Sequence, residues 1–167
     1  ISNLISEDLN ESNIKSVICF TESQGHAEEL VSKIDFHEGD ALMSVGGDGT
    51  LSEIITGLLS RGDSYSGKIP ISIVPSGSGN SQANDMEITD YLDAVQRVVE
   101  GRLRKMDVGK VTYMDDGEEK VRYSHNLVGW GLGVDANILA EKMRFLGPIR
   151  YDLGSLMSII RGKVRKA

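Results

Sequence analysis

The chain has 167 residues, 40% of them hydrophobic, with a formal net charge of −7. This is long enough to bury one ordinary core or two small ones and too apolar for a disordered chain; the acidic balance argues against general nucleic-acid binding. No apolar run approaches the ~20 residues of a membrane span, and no signal peptide is visible.

The first segment, "ISNLISEDLNES" (1–12), reads as the tail of a helix. "KSVICF" (15–20) then reads as a strand, and its Cys19, the single cysteine, as a buried reduced thiol. "GHAEELVSKI" follows as a helix, "ALMSV" (41–45) as a short buried strand, and Leu51, Ile54, Ile55, Leu58 and Leu59 recur at helical spacing. "KIPISIV" reads as a third strand and "TDYLDAVQRVVEG" as a helix, so strands and helices alternate as in a parallel sheet with crossover connections. Ligands of such sheets bind at the carboxyl ends of the strands. After Gly101 the pattern becomes a hairpin, with period-two stretches on either side of "DDG" (115–117). Two helical patterns follow, at Asp135–Phe145 and Ile149–Arg161. The expected fold is therefore α/β: a three-layer parallel-sheet domain over 1–101, then a second, antiparallel unit over 102–167.

Two glycine-rich loops end neighbouring strands. In "VGGDGT", Gly46, Gly47 and Gly49 can take positive φ or admit another group close to the backbone, and the N–H groups of the following helix favour an anion. Asp48 stands in that phosphate-binding geometry as a repulsive charge, unless a cation lies between or the acid has a proton to accept. Equally, it forms a turn or caps the helix. In "PSGSGN", Pro75 stops the strand, Gly77 and Gly79 open the backbone, and Ser76, Ser78 and Asn80 offer donors to phosphate or acceptors to the helix start. Neither loop is a G-x-x-x-x-G-K-[ST] or G-x-G-x-x-G signature. Charge is uneven: residues 142–167 carry seven Lys/Arg against the single acid Asp152, about +6, and residues 1–141 about −13. A basic tail on an acidic body suits phosphate groups or an anionic membrane surface, or is a solvated helix face.

"TESQGHAEEL", "VGGDGTLSEIITGLL", "PSGSGN" and "GWGLGVDANILAEKMRFLGPIRY", in that order, resemble the catalytic domain of the diacylglycerol-kinase-like superfamily, which includes sphingosine, ceramide and diacylglycerol kinases. The resemblance runs from about Ser16 to Gly154; "GSGN" and E-K-x-R-x-x-G-x-x-R are closest to sphingosine and ceramide kinases, while "NLVGWGLGVDA" has a bacterial flavour. It implies an ATP-dependent, Mg2+-assisted lipid kinase. With no run long enough to span a bilayer, membrane contact is expected to be peripheral, the reduced thiol suits a cytoplasmic protein, and the histidine spacing assigns no structural metal. Gly46, Gly47, Gly49 and Thr50, and Ser76, Gly77, Ser78, Gly79 and Asn80, match the nucleotide loops. Thr21 matches a threonine contacting phosphate or ribose, with an N-cap for the next helix as its other explanation. Glu53 matches a glutamate near the nucleotide, and Arg144 and Arg150 match arginines that reach its phosphates; without the resemblance both arginines would be read as exposed charges. Asp48 matches the acid at the reacting centre, as the base for the lipid hydroxyl or as its orienting group.

Two departures from the pattern bear on substrate and completeness. Where sphingosine kinases carry an aspartate for the lipid ammonium, this chain has the neutral Asn137, which moves weight toward a neutral lipid. Asp135 could substitute if that segment is extended, because residues i and i+2 then share a face; capping the following helix is its alternative. The family's opening strand and most of its lipid-binding β-sandwich are not recognisable, so the chain is expected to be a fragment carrying the beginning of that sandwich. Trp130 reads as core or pocket wall, and His26, His37 and His125 lack partners at metal-ligand spacing. Competing readings are a diacylglycerol kinase, an NAD-kinase-like or phosphofructokinase-like phosphotransferase with the same Gly-Gly-Asp-Gly turn, and a non-catalytic nucleotide- or lipid-binding module.

Overall fold

The computed structural model describes residues 1–129 and 132–161. Two compact units meet in sequence after Asn126. In the first, helix α1 (Ser2–Glu11) precedes α2 (His26–Lys33), strand β1 (Leu42–Gly46), α3 (Asp48–Ser60), β2 (Ile71–Pro75), α4 (Ser81–Asp85), α5 (Tyr91–Val99) and the hairpin β3 (Gly109–Asp115) and β4 (Glu118–Ser124). Strands β1 and β2 pair in parallel, Leu42 opposite Ile71 through Gly46 opposite Pro75, so both glycine loops leave the same end of the sheet.

Helix α3 is the crossover between these strands and lies between two apolar clusters. Leu51 and Ile55 pack with Ile5 and Leu9 of α1, Ile73 and Val74 of β2, and Ala94 and Val95 of α5. Ile54 and Leu58 face the other way, onto Ala27 and Val31 of α2, Phe36 and Ile69. A helix with apolar residues on both sides is specified as a buried element rather than a surface one. Gly57 lets α2 approach: a Cβ there would lie 2.6 Å from the Glu28 carbonyl oxygen and 3.1 Å from Glu28 Cα.

The hairpin forms as its pattern predicts. Asp116 and Gly117 are the two turn residues, with φ of 51° and 82°, the primed-turn geometry that matches strand twist. The "KSVICF" segment differs from expectation. Lys15–Phe20 belongs to no strand, and Val17 and Phe20 are 91% and 74% exposed. β propensity makes a strand only where a neighbouring strand completes the ladder, and among the described residues β1 pairs with β2 alone. Cys19 is accordingly exposed rather than buried.

The second unit holds α6 (Leu132–Lys142), a short 3-10 segment Arg144–Ile149 broken at Gly147 (φ 61°), and α7 (Arg150–Arg161). The helices meet at small residues: a Cβ on Gly154 would lie 2.5 Å from the Ala136 carbonyl oxygen and 3.3 Å from Ala140 Cβ. Trp130 falls outside the described residues, as does the basic stretch 162–167.

Candidate functional site

The two glycine loops pack backbone against backbone. Gly46 closes β1, and a Cβ on it would lie 2.7 Å from Thr50 Oγ1. A Cβ on Gly77 would lie 2.4 Å from Gly47 Cα and 2.9 Å from Gly47 N. Ser76 N–H donates to the Gly46 carbonyl at 3.1 Å, joining the loops where the strands end. None of Gly46, Gly47 and Gly49 has positive φ; Gly47 is extended, at φ −100° and ψ −172°. Close approach, not left-handed backbone, is what this turn requires of Gly46 and Gly47, because the chain passes from strand to helix through an extended N-cap. The left-handed residue is Asn80, at φ 54°. Its side chain closes its own loop, Oδ1 accepting from Gly77 N at 2.9 Å and Nδ2 donating to Gly77 O at 2.8 Å. Around Gly49 a Cβ would meet nothing within 4 Å, so that side of the turn is open to a ligand.

Asp48 opens α3 but does not cap it; the N-cap is Gly47, with no side-chain hydrogen bond. Its carboxylate reaches instead to α4, Oδ2 accepting from Ser81 N at 2.9 Å and Oδ1 from Gln82 N at 3.0 Å. Thus the acid of the first loop caps the helix that follows the second. Burial pushes its pKa up, but the N–H donors of Gln82 and Ser81, the Ser81 hydroxyl and the nearby His125 outweigh burial and hold it below the ordinary aspartate value. The group is therefore ionised at neutral pH. Each oxygen takes one backbone donor, which leaves carboxylate lone pairs for a substrate hydroxyl or a metal-bound water.

His125, at the end of the hairpin, places Nδ1 3.2 Å from Gln82 Oε1. No local pattern marks this contact, since the partner is 43 residues away and the contact depends on how the hairpin docks. Arg122 of β4 adds an ion pair with Glu28 of α2.

Glu53, five residues along α3 from Asp48, holds the start of α2: Oε1 accepts from Gly25 N at 2.8 Å and Oε2 from Ala27 N at 3.3 Å. Because Gly25 is the N-cap of α2, Thr21 is not that helix's cap. Thr21 is exposed in the irregular chain just before it, and His26 Nδ1 accepts from Glu22 N at 3.0 Å. Glu53 thereby ties the "TESQG" segment to the helix that begins with Asp48. Glu53→Ala is expected to cost about 1–2 kcal/mol, measured as a lower urea midpoint at unchanged m value.

In the second unit, Asp135 and Asn137 lie on α6, in helical conformation, so they do not share a face as an extended segment would allow. Asp135 occupies the first helical turn, where a carboxylate favours the helix N-terminus. Asn137 lines an open cavity of about 820 Å³ with Leu127, Val134, Ile138, Tyr151 and Ser155. Arg150 is not an exposed charge: its side chain is 3% exposed, with Nη2 donating to Tyr151 Oη at 2.8 Å and 3.5 Å from Glu141 Oε1. Arg144 begins the 3-10 segment.

The profile of the diacylglycerol kinase catalytic domain matches residues 1–111. Over 156 residues the chain is 35% identical to sphingosine kinase 1 of Arabidopsis thaliana, covering 90% of this chain and 31% of that protein. It is 30% identical over 162 residues to human sphingosine kinase 2, covering 90% of this chain and 24% of the relative. The mitochondrial acylglycerol kinase of Xenopus laevis is 27% identical over 160 residues, 92% of this chain and 36% of the relative. The chain belongs to the diacylglycerol kinase catalytic domain family, and its similarity reaches the sphingosine kinases across nearly its whole length. It spans about a quarter to a third of the length of these relatives.

Proposed function

We propose that this chain is the nucleotide-binding and reacting part of an ATP-dependent lipid kinase, which transfers the γ-phosphoryl group to the primary hydroxyl of a sphingoid or related lipid. The observation that carries the reading is an ionised Asp48 held by Ser81 and Gln82 where two abutting glycine loops leave one sheet end. In the reaction, the lipid hydroxyl oxygen bonds to the γ-phosphorus, the bond from that phosphorus to the ADP oxygen breaks, and the hydroxyl proton passes to the Asp48 carboxylate. The 46–50 and 76–80 loops hold the phosphates, with Thr21 and Glu53 beside them. Bound Mg2+ would neutralise phosphate charge and so relieve its repulsion of Asp48. In this reading Arg144 and Arg150 are the cations for phosphate, a task that suits a guanidinium because its fork pairs bidentately; Arg150, 3% exposed, would have to leave Tyr151 and Glu141 to reach it. Residues 1–101 act as the nucleotide domain, and 102–167 begin the lipid-binding domain, a β-sandwich in this reading.

Sphingoid bases are favoured as substrates by the names of the relatives, which include a sphingoid long-chain bases kinase of Arabidopsis thaliana. The neutral Asn137 favours a lipid without an ammonium group, such as ceramide or diacylglycerol, because an amide cannot form the charge-assisted pair. Asn137→Asp in the full-length protein is expected to raise kcat/KM for sphingosine relative to ceramide about tenfold, the increment of one charge-assisted hydrogen bond. An unchanged ratio would move head-group recognition elsewhere.

Among the described residues no helix is long and apolar enough to cross a membrane. Peripheral membrane contact is supported by α7, where Leu153, Leu156, Met157 and Ile160 form one exposed stripe ahead of Arg161, Lys163, Arg165 and Lys166 in the sequence. The deciding assay offers the full-length protein Mg-ATP with sphingosine, ceramide, diacylglycerol or NAD and measures phosphorylated product. ATP binding with no lipid phosphorylated would favour the non-catalytic module, and phosphorylation of diacylglycerol alone the second lipid-kinase reading.

A further inference from the structure

Gln82 is 7% exposed, and its two polar ends do different work. Its backbone N–H binds Asp48 Oδ1 at 3.0 Å, and its side-chain Oε1 lies 3.2 Å from His125 Nδ1. With an amide oxygen as acceptor, Nδ1 carries the hydrogen, so the imidazole donates to Gln82. The histidine stands directly after β4, and the hairpin is fixed to the rest of its unit by the Arg122–Glu28 ion pair. The connection therefore runs from a braced hairpin, through one buried side chain, to the backbone donor on the acid. His125 also contributes to keeping the Asp48 carboxylate ionised.

We propose that His125 is a positioning residue for the phosphoryl-transfer centre: by holding Gln82, it fixes the backbone N–H that orients the Asp48 carboxylate toward the lipid hydroxyl. This rests on Asp48 acting as the base or orienting group. The hydroxyl must meet a carboxylate lone pair at hydrogen-bond distance, and a misplacement of about 1 Å can cost about a hundredfold in rate. Without that contact Gln82 no longer pins the first turn of α4 to the hairpin, and the N–H groups with which α4 holds Asp48 are free to shift. The effect falls on kcat, because neither His125 nor Gln82 belongs to the glycine loops proposed to hold the nucleotide.

The test is a double-mutant cycle in the full-length protein, with kcat and the KM for ATP measured for His125→Ala, His125→Asn, Asp48→Asn and the pair His125→Ala/Asp48→Asn. His125→Ala is expected to lower kcat about tenfold or more with KM changed less than threefold. Asparagine carries an N–H close to the place of Nδ1, so His125→Asn should retain kcat within about threefold of the parent. On the Asp48→Asn background, His125→Ala should cost less than about twofold, since a residue acting through Asp48 has nothing left to orient. Thermal melts report whether each variant is folded, and the asparagine variant preserves the test if alanine unfolds the hairpin. Unchanged kcat in His125→Ala, a change confined to KM, failed rescue by asparagine in a folded protein, or an equal loss on both backgrounds would each overturn the proposal. Full turnover in Asp48→Asn would overturn the reading of Asp48 and this inference with it; an inactive Asp48→Asn beside a fully active His125→Ala would overturn the inference alone.

Discussion

Asp48→Asn is expected to lower kcat of the full-length protein by about a hundredfold or more while changing its affinity for ATP less than threefold. Asparagine has nearly the same shape and can keep one of the two bonds, Oδ1 accepting from Gln82 N. It places an NH2 group against Ser81 N–H, where the native oxygen accepts at 2.9 Å, so a donor then faces a donor. A loss of about 1–2 kcal/mol in stability should accompany the loss of turnover. Nucleotide affinity at saturating Mg2+ and a melting temperature separate the two effects: a folded variant that binds ATP and does not turn over has lost the proton acceptor or orienting group. The pH dependence gives a second check. The folded carboxyl titrates below the ordinary aspartate value of 3.8, so its contribution to stability is complete at pH well above 3.8 and is lost as pH falls through the lower, folded-state value. Asparagine does not titrate, and the variant's stability should show less of that acid-induced decline. Unchanged turnover would remove Asp48 from the mechanism.

The elements legible in sequence were those whose pattern is local. The apolar spacing of α3 and the turn chemistry of Asp116–Gly117 fix their own geometry, and both formed as read. Lys15–Phe20 failed because a strand is a relation between segments: apolar composition cannot supply a partner, and Val17, Cys19 and Phe20 stand exposed instead. The same distinction holds at the site. Gly46, Gly47 and Gly77 were identifiable as turn glycines, but their shared purpose, backbone contact between two loops, needed the register of β1 on β2. In sequence the side chain of Asp48 reads as a turn former, a cap for its own helix or a reacting group. Its cap on α4, 33 residues away, is a tertiary contact that no window of sequence contains. His125 has no acid or cysteine at ligand spacing, and the partner it does have, the Gln82 amide, lies 43 residues away.

Gly77→Ala tests that loop contact most directly and is expected to be the most damaging small substitution in the first unit. The added methyl would start 2.4 Å from Gly47 Cα and 2.9 Å from Gly47 N, and 3.0 Å from Asn80 Oδ1. Real Cβ atoms do not approach backbone that closely, and neither neighbour on Gly47 is the end of a flexible chain that can swing aside. Relief therefore requires the two loops to part. Parting them strains the bond from Ser76 N to Gly46 O, 3.1 Å, and the clasp from Asn80 to Gly77. It also draws α4 away from Asp48, since Ser81 directly follows Asn80. A loss of about 2–4 kcal/mol is expected from overpacking and the hydrogen bonds forfeited with it. Gly49→Ala is the matched control: its Cβ would meet nothing within 4 Å and its φ is not in the left-handed region, so inside α3 the change should be neutral or slightly stabilising in the free protein. The two variants part again with nucleotide present. If the open space at Gly49 is where phosphate approaches, Gly49→Ala should weaken ATP binding about tenfold or more at undiminished stability, whereas Gly77→Ala should lose stability with or without ATP. Equal melting temperatures for the two variants would mean that the loops do not meet at Gly47 and Gly77, and undiminished ATP affinity in Gly49→Ala would place the phosphates on another side of the turn.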